Sequence, residues 1–344
     1  MFHSVGAVIR ANRLTEAVAD EAESSSSLSY QSKKDFSPVT IGDYGAQALI
    51  ISELRSQFRS AHFIAEETSK ALREEPSLWE KVTQLVNQFK SEENVGVQAG
   101  SLSKEEIAEA VDTGSSEGGL GTKCFVLDPI DGTKGFVSGR QYCIALALVD
   151  DGVVKAGVLG CPRLPIEKPG EFGKSAGNRG CLFYAAENCG AWTVGIDAAV
   201  NGEQGSRVHV STETDARYSV FAESVEKGHS SHELSARIAN ILNVSSPPVR
   251  MDSQAKYGCI ARADFSIFMR FPRKGYVENI WDHAAGAIVI EEAGGRVSDG
   301  TGRSLNFATG RKLDNVDGII ATNGAVHNAV VAAVQQALKE STAS

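Results

Sequence analysis

Long apolar runs are absent from this chain of 344 residues. None approaches the ~20 residues that cross a bilayer, so no membrane partner is expected. The first twenty residues hold no basic head followed by an apolar core, and a secretory signal is not expected either. Glu16 and Asp20 come early, against an organellar transit peptide. A cytoplasmic location is the resulting expectation. Basic charge is also scarce: 34 Lys and Arg stand against 43 Asp and Glu, a net charge of −9. A protein that wraps nucleic-acid polymer carries a basic face, so that partner is disfavoured. A small anionic ligand is not, because a few local cations or metal ions reverse the sign of a pocket. The six cysteines, Cys124, Cys143, Cys161, Cys181, Cys189 and Cys259, include no CxxC pair. In a chain this size they read as free thiols of a reducing compartment. Internal repeats and coiled-coil heptads are missing too.

What remains is an ordinary soluble composition, 42% apolar and 22% charged, long enough for one large or two medium domains. Apolar positions at Val5, Val8, Ile9, Leu14, Ala17 and Val18 predict an amphipathic helix over 5–22. A serine-rich link follows at 24–29. Thr40 reads as the cap of a second helix carrying Ala46, Leu49, Ile50, Leu54 and Phe58. His62 to Ala65 is a short strand, 69–115 is mostly helical, and Cys124 to Leu127 is a buried strand stopped by Pro129. Asp150-Asp151-Gly152 and Asn188-Cys189-Gly190 are hairpin turns between strands. Pro162 to Gly180 is a long loop. From about 207, short strands (207–210, 220–222, 265–271, 318–322) alternate with helices (231–242, 282–293, 325–338). An antiparallel α+β part over 1–205 and an α/β part over 206–344 are therefore expected.

Chemistry concentrates at element ends. Asp128-Pro129-Ile130-Asp131-Gly132-Thr133 ends a buried strand with two close carboxylates. Such a pair repels itself unless a cation intervenes, and Mg²⁺ prefers oxygen ligands. Taken alone, the run is also ordinary turn chemistry. Glu66 and Glu67 close another strand, and alone read as a solvated end. Asp43, three residues after Thr40, reads as a capping box. Asp282 reads as a helix N-cap or first-turn acid. These acids make a metal cluster only if the fold gathers them, which spacing does not show.

Four motifs occur in order: Lys33-x-Asp35-x-Ser37-Pro38-Val39-Thr40-x-x-Asp43, Ala65-Glu66-Glu67-Thr68, Leu127-Asp128-Pro129-Ile130-Asp131-Gly132-Thr133, and Trp281-Asp282-His283-Ala284-Ala285-Gly286. Together they resemble the inositol monophosphatase superfamily of metal-dependent, lithium-sensitive phosphomonoesterases. Glu223 to His232 and Asp252 to Tyr257 resemble its 3′(2′),5′-bisphosphate nucleotidase branch. The likeness spans about 5–338 and departs at Phe125-Val126 and Arg163-Leu164-Pro165. It implies a layered αβαβα sandwich. It further implies up to three Mg²⁺ ions on Glu66, Asp128, Asp131, Asp282 and the Ile130 carbonyl. Asp43 and Thr133 would position and deprotonate a water, and the Gly132 and Thr133 N–H groups would cradle the scissile phosphate. His229, Ser253, Lys256 and Arg270 would hold the second phosphate and the nucleoside.

The implied reaction converts adenosine 3′,5′-bisphosphate to AMP and phosphate, with 3′-phosphoadenylyl sulfate as a further substrate in sulfate assimilation. A monomer acting on this small molecule is expected. An inositol mono- or polyphosphate 1-phosphatase is the alternative enzyme, disfavoured by the runs at 223–232 and 252–257. A non-catalytic nucleotide sensor is the alternative from another class, disfavoured by the intact acid set.

Overall fold

The computed structural model describes residues 2–24, 38–91, 100–167, 179–225, 232–271 and 275–342. Residues 25–29 of the serine-rich link (Ser24 ends the first helix), the motif positions at 33–37, residues 168–178 of the expected loop, and 226–231 with His229 lie outside them. Helices α1 (Phe2–Ser24) and α2 (Pro38–Gln57) bury Val8, Leu14 and Val18 against Leu49, Ile50 and Leu54. A buried Arg10–Glu53 ion pair ties them together. Thr40 lies inside the first turn of α2 rather than capping it, because the helix already includes Pro38, whose fixed φ suits a first turn.

Strand β1 (His62–Ala65) precedes α3 (Lys70–Glu74), α4 (Pro76–Lys90) and α5 (Lys104–Asp112). Next come β2 (Lys123–Asp131), α6 (Thr133–Val137), β3 (Cys143–Asp150), β4 (Val153–Pro165), β5 (Arg179–Ala186), β6 (Gly190–Gly195), α7 (Ile196–Val200) and β7 (Ser206–Val208). These strands form one seven-stranded sheet in sequence order. It is antiparallel except for the parallel β1–β2 pair. The expected stop at Pro129 is wrong: β2 continues to Asp131, because a register shift between Asp128 and Asp131 accommodates a residue with no N–H to give. Both expected hairpins form, with Asp151 and Gly152 at φ 51° and 77° in the first. β7, expected among the later alternating elements, pairs with β6 in this sheet instead.

The rest comprises β8 (Phe221–Glu223), α8 (His232–Ile241), β9 (Val249–Arg250), α9 (Ala255–Ala261), β10 (Ile267–Arg270), α10 (Ala284–Glu292), β11 (Arg296–Asp299), β12 (Ile319–Thr322) and α11 (His327–Thr342). Strands β9 and β11 and helix α9 had no sequence expectation. The second sheet has the order β11-β12-β10-β8-β9. Helices α9 and α10 pack between the sheets, α1 and α2 outside the first, and α8 and α11 outside the second. The expected five-layer αβαβα arrangement follows. Alternation sets it: on β3, Cys143, Ala145 and Ala147 face the middle layer while Ile144 and Leu146 face α1 and α2. Small residues there admit α10 closely. A Cβ on Gly157 would come within 2.7 Å of the Ala285 carbonyl oxygen. Among the described residues no helix is long and apolar enough to cross a membrane, and all six cysteines are free thiols.

Candidate metal centre and active site

Parallel pairing of β1 with β2 brings the first two acids together. Ala65 is in register with Leu127, so the next residues, Glu66 just past the end of β1 and Asp128 still within β2, lie side by side. Gln47 on α2 fixes the exit from β1. Its side-chain amide donates to the Glu67 and Val111 carbonyls at 2.8 and 2.9 Å and accepts from the Glu67 N–H at 3.1 Å. Asp43 lies one turn earlier on the same helix face. The irregular end of β2 then presents Asp131. Gly132 follows at φ 93°, where a Cβ would sit 3.0 Å from that of Ser253. The conformation and the close approach both favour glycine.

Asp282 arrives from the other side of the cleft. It ends a 3-10 turn, Ile280–Asp282, and His283 separates it from α10. It is therefore not the N-cap of that helix, as expected from sequence. Carboxylate oxygens of Asp128, Asp131 and Asp282 all lie within 4.8 Å of one another. Asp128 is 2% exposed, and its Oδ1 has no hydrogen-bond partner. Burial and repulsion from Glu66, Asp131 and Asp282 push its pKa well up. Burial and Asp282 push Asp131 to about 6. Glu66 opens to solvent on one side, yet the cleft walls strip much of its water and Glu67, Asp282 and Asp131 repel it, which raises its pKa to about 8. Asp43, 5% exposed, is raised by burial and then by Glu67 and Glu66. Converging oxygens, an orphaned buried carboxylate atom and mutual repulsion fit a hard divalent cation.

A second close-set group, Glu278, Asp282 and His283, shares Asp282 with the first, but here the charge of Glu278 is already answered. Arg270 Nε donates to Glu278 Oε1 at 2.8 Å, and its Nη2 lies 3.8 Å from Asp282 Oδ2. His283 Nε2 lies 3.3 Å from Glu278 Oε2, and Tyr257 Oη 2.7 Å from His283 Nδ1. Burial alone would raise the Glu278 pKa; the His283 and Arg270 contacts overcome it and hold it at about 2.

The cleft of about 370 Å³ is lined by Glu66, Asp128, Ile130, Asp131, Gly132, Thr133, Ser253, Lys256, Arg270 and Asp282. Asp43 stands behind this wall. Lys256 is 3% exposed and donates to the Met251 and Ser253 carbonyls at 3.0 and 2.8 Å. It thus braces a turn in which Ser253 adopts φ 70°, and burial lowers its pKa to about 8. Sequence reasoning missed Gln254, whose N–H donates to Asp131 Oδ2 at 2.5 Å and whose side chain reaches the Trp281 carbonyl at 2.8 Å. It also missed Glu278 and His283. Gln254 and His283 stand inside motif runs that signalled them; Glu278 carries no local signal.

The sequence profile of the inositol monophosphatase family matches residues 3–339. The chain belongs to that family. Among its relatives, the 3′(2′),5′-bisphosphate nucleotidase of Oryza sativa is 46% identical over 97% of this chain and 93% of its own length. That of Emericella nidulans is 41% identical over 97% and 96%. The family fold is shared with the inositol monophosphatase of Anabaena, at TM-score 0.56 and 19% identity over 97% of this chain and 94% of that one. CysQ from Bacteroides thetaiotaomicron, a bacterial family member, aligns at TM-score 0.56 and 19% identity over 93% and 95%.

Proposed function

We propose that this enzyme is a Mg²⁺-dependent 3′(2′),5′-bisphosphate nucleotidase that removes the 3′-phosphate of adenosine 3′,5′-bisphosphate, leaving AMP. 3′-Phosphoadenylyl sulfate is a further substrate. The observation that carries this reading is the two-sided cleft, in which an uncompensated acidic cluster faces Arg270 and Lys256. Near-full-length likeness to curated nucleotidases supports the same choice.

Glu66, Asp128, Asp131, Asp282 and the Ile130 carbonyl would hold up to three Mg²⁺ ions. Such ions supply an activated water and neutralise phosphate oxygens when bound. Asp43 and Thr133 would orient a water, and Asp43, whose pKa burial raises, would accept its proton. The Gly132 and Thr133 N–H groups cradle the scissile phosphate. Arg270 offers the other phosphate a planar fork, Lys256 offers a point charge, and Ser253 offers a hydroxyl. His229 would be a further contact to this phosphate or the nucleoside, as the family likeness implies. The enzyme works as a cytoplasmic monomer.

Phosphate release from adenosine 3′,5′-bisphosphate, inositol 1-phosphate and inositol 1,4-bisphosphate in Mg²⁺ is the test. Fastest release from the nucleotide is expected. Faster release from an inositol phosphate would place the chain among inositol phosphatases, and nucleotide binding without release would make it a sensor.

A further inference from the structure

We propose that Arg311 is a positioning residue for the metal site, bolting the backbone that carries Glu66 to the backbone that carries Asp282. This rests on the metal reading above.

Glu66 and Asp282 hang from two separate backbone ladders. On one, β1 pairs with 114–116: the Ala65 N–H donates to the Gly114 carbonyl at 2.8 Å and the Ser116 N–H to the Phe63 carbonyl at 3.1 Å. On the other, 278–280 pairs with 311–313: the Ile280 N–H donates to the Arg311 carbonyl at 3.1 Å and the Leu313 N–H to the Glu278 carbonyl at 2.9 Å. The first ladder delivers Glu66 and the second delivers Asp282. Four Mg²⁺-ligating acids drawn from three separate segments need their spacing fixed to a few tenths of an ångström.

Arg311 spans the gap. Its Nη2 donates to the Ala65 carbonyl at 2.7 Å, and its Nη1 donates to those of Gly114 and Ser116 at 3.1 and 3.2 Å. The guanidinium also covers the Trp281 ring, 4.8 Å from its centroid. Ala65 and Trp281 are the residues immediately before Glu66 and Asp282. One planar cation therefore grips both ligand-bearing segments one residue upstream of the ligands. A lysine would offer a point charge to this fork of carbonyls rather than a matching plane. Backbone contact next door makes the join intimate: Gly310 has φ 88°, and a Cβ there would sit 2.9 Å from the Glu117 carbonyl oxygen.

Groups that orient metal ligands alter metal affinity about 10- to 100-fold when removed. The experiment compares the intact protein with Arg311→Gln and Arg311→Lys by thermal denaturation across an Mg²⁺ titration, and by the Mg²⁺ dependence of phosphate release. In Arg311→Gln, both Mg²⁺ midpoints are expected to rise about tenfold or more, with high Mg²⁺ restoring turnover. Arg311→Lys should rise less, and it carries the test alone if the Gln variant does not fold. Midpoints equal to the parent's, with a melting temperature lowered alike in chelator and in Mg²⁺, would mean ordinary structural support and overturn the proposal. A parent protein that Mg²⁺ does not stabilise would overturn the metal reading and this role with it.

Discussion

Asp128 lines one wall of the cleft and Glu278 backs Arg270 on the other; both are buried, and burial leaves them in opposite states. Asp128 is 2% exposed, faces other acids, keeps an oxygen without a partner and is driven toward its protonated form. Glu278 is 0% exposed, holds Arg270 and His283, and stays ionised with a pKa of about 2. Desolvation opposes charge on both; the difference lies in whether the protein supplies the counter-charge. One wall is self-neutralised and rigid. The other is complete only with a ligand that brings positive charge.

The largest effect should come from the uncompensated wall. Asp131→Asn removes a ligand charge and is expected to lower kcat by about a thousandfold or more. Repulsion in the cluster also falls, so the melting temperature in chelator should not drop. Circular dichroism melts beside phosphate release check both parts. Substantial activity in this variant would dissolve the contrast between the walls. Glu278→Ala should act the other way. It strands the buried Arg270 cation, and a loss of about 3 kcal/mol in unfolding free energy is expected by denaturant titration. A near-neutral result would mean that Arg270 finds Asp282 as a substitute partner.

The acids of the first wall were legible because each stands at an element end with its own turn chemistry. Their convergence was not. It depends on the parallel register of Ala65 with Leu127 and on a turn arriving from beyond residue 278. The braces were still less visible. Arg311 reaches the Ala65 carbonyl across 246 residues of sequence, and Glu278 sits in the mixed run Tyr276-Val277-Glu278-Asn279-Ile280-Trp281, whose pattern names no partner for it. The layer order was foreseen from the family likeness, while α9, β9 and β11 were too short for periodicity to reveal. The continuation of β2 past Pro129 escaped notice because a bulge, which only pairing discloses, makes the proline tolerable there.

The subtlest separation of the walls is by pH. Glu66 is raised from 4.5 to about 8, and Asp131 from 3.8 to about 6. Without metal, the stability these acids contribute is full below their unfolded values and is lost as pH rises through the folded ones. Asp131 should dominate the lower part of that window, since solvent screens the more open Glu66. Glu278 behaves conversely: its contribution is present above 4.5 and fades only as pH falls through about 2. Between about pH 5 and pH 8 Glu66 and Asp131 titrate while Glu278 does not, and Glu291, raised by burial to about 7, adds to the same slope, so the melting temperature in chelator is expected to fall by a few degrees across that range. Saturating Mg²⁺ holds the acids ionised and should flatten the slope, and its binding should release protons that calorimetry in buffers of different ionisation enthalpy can count. A melting temperature in chelator that rises over this range would place the ionised acids in a site that already neutralises them, and the two walls would no longer differ.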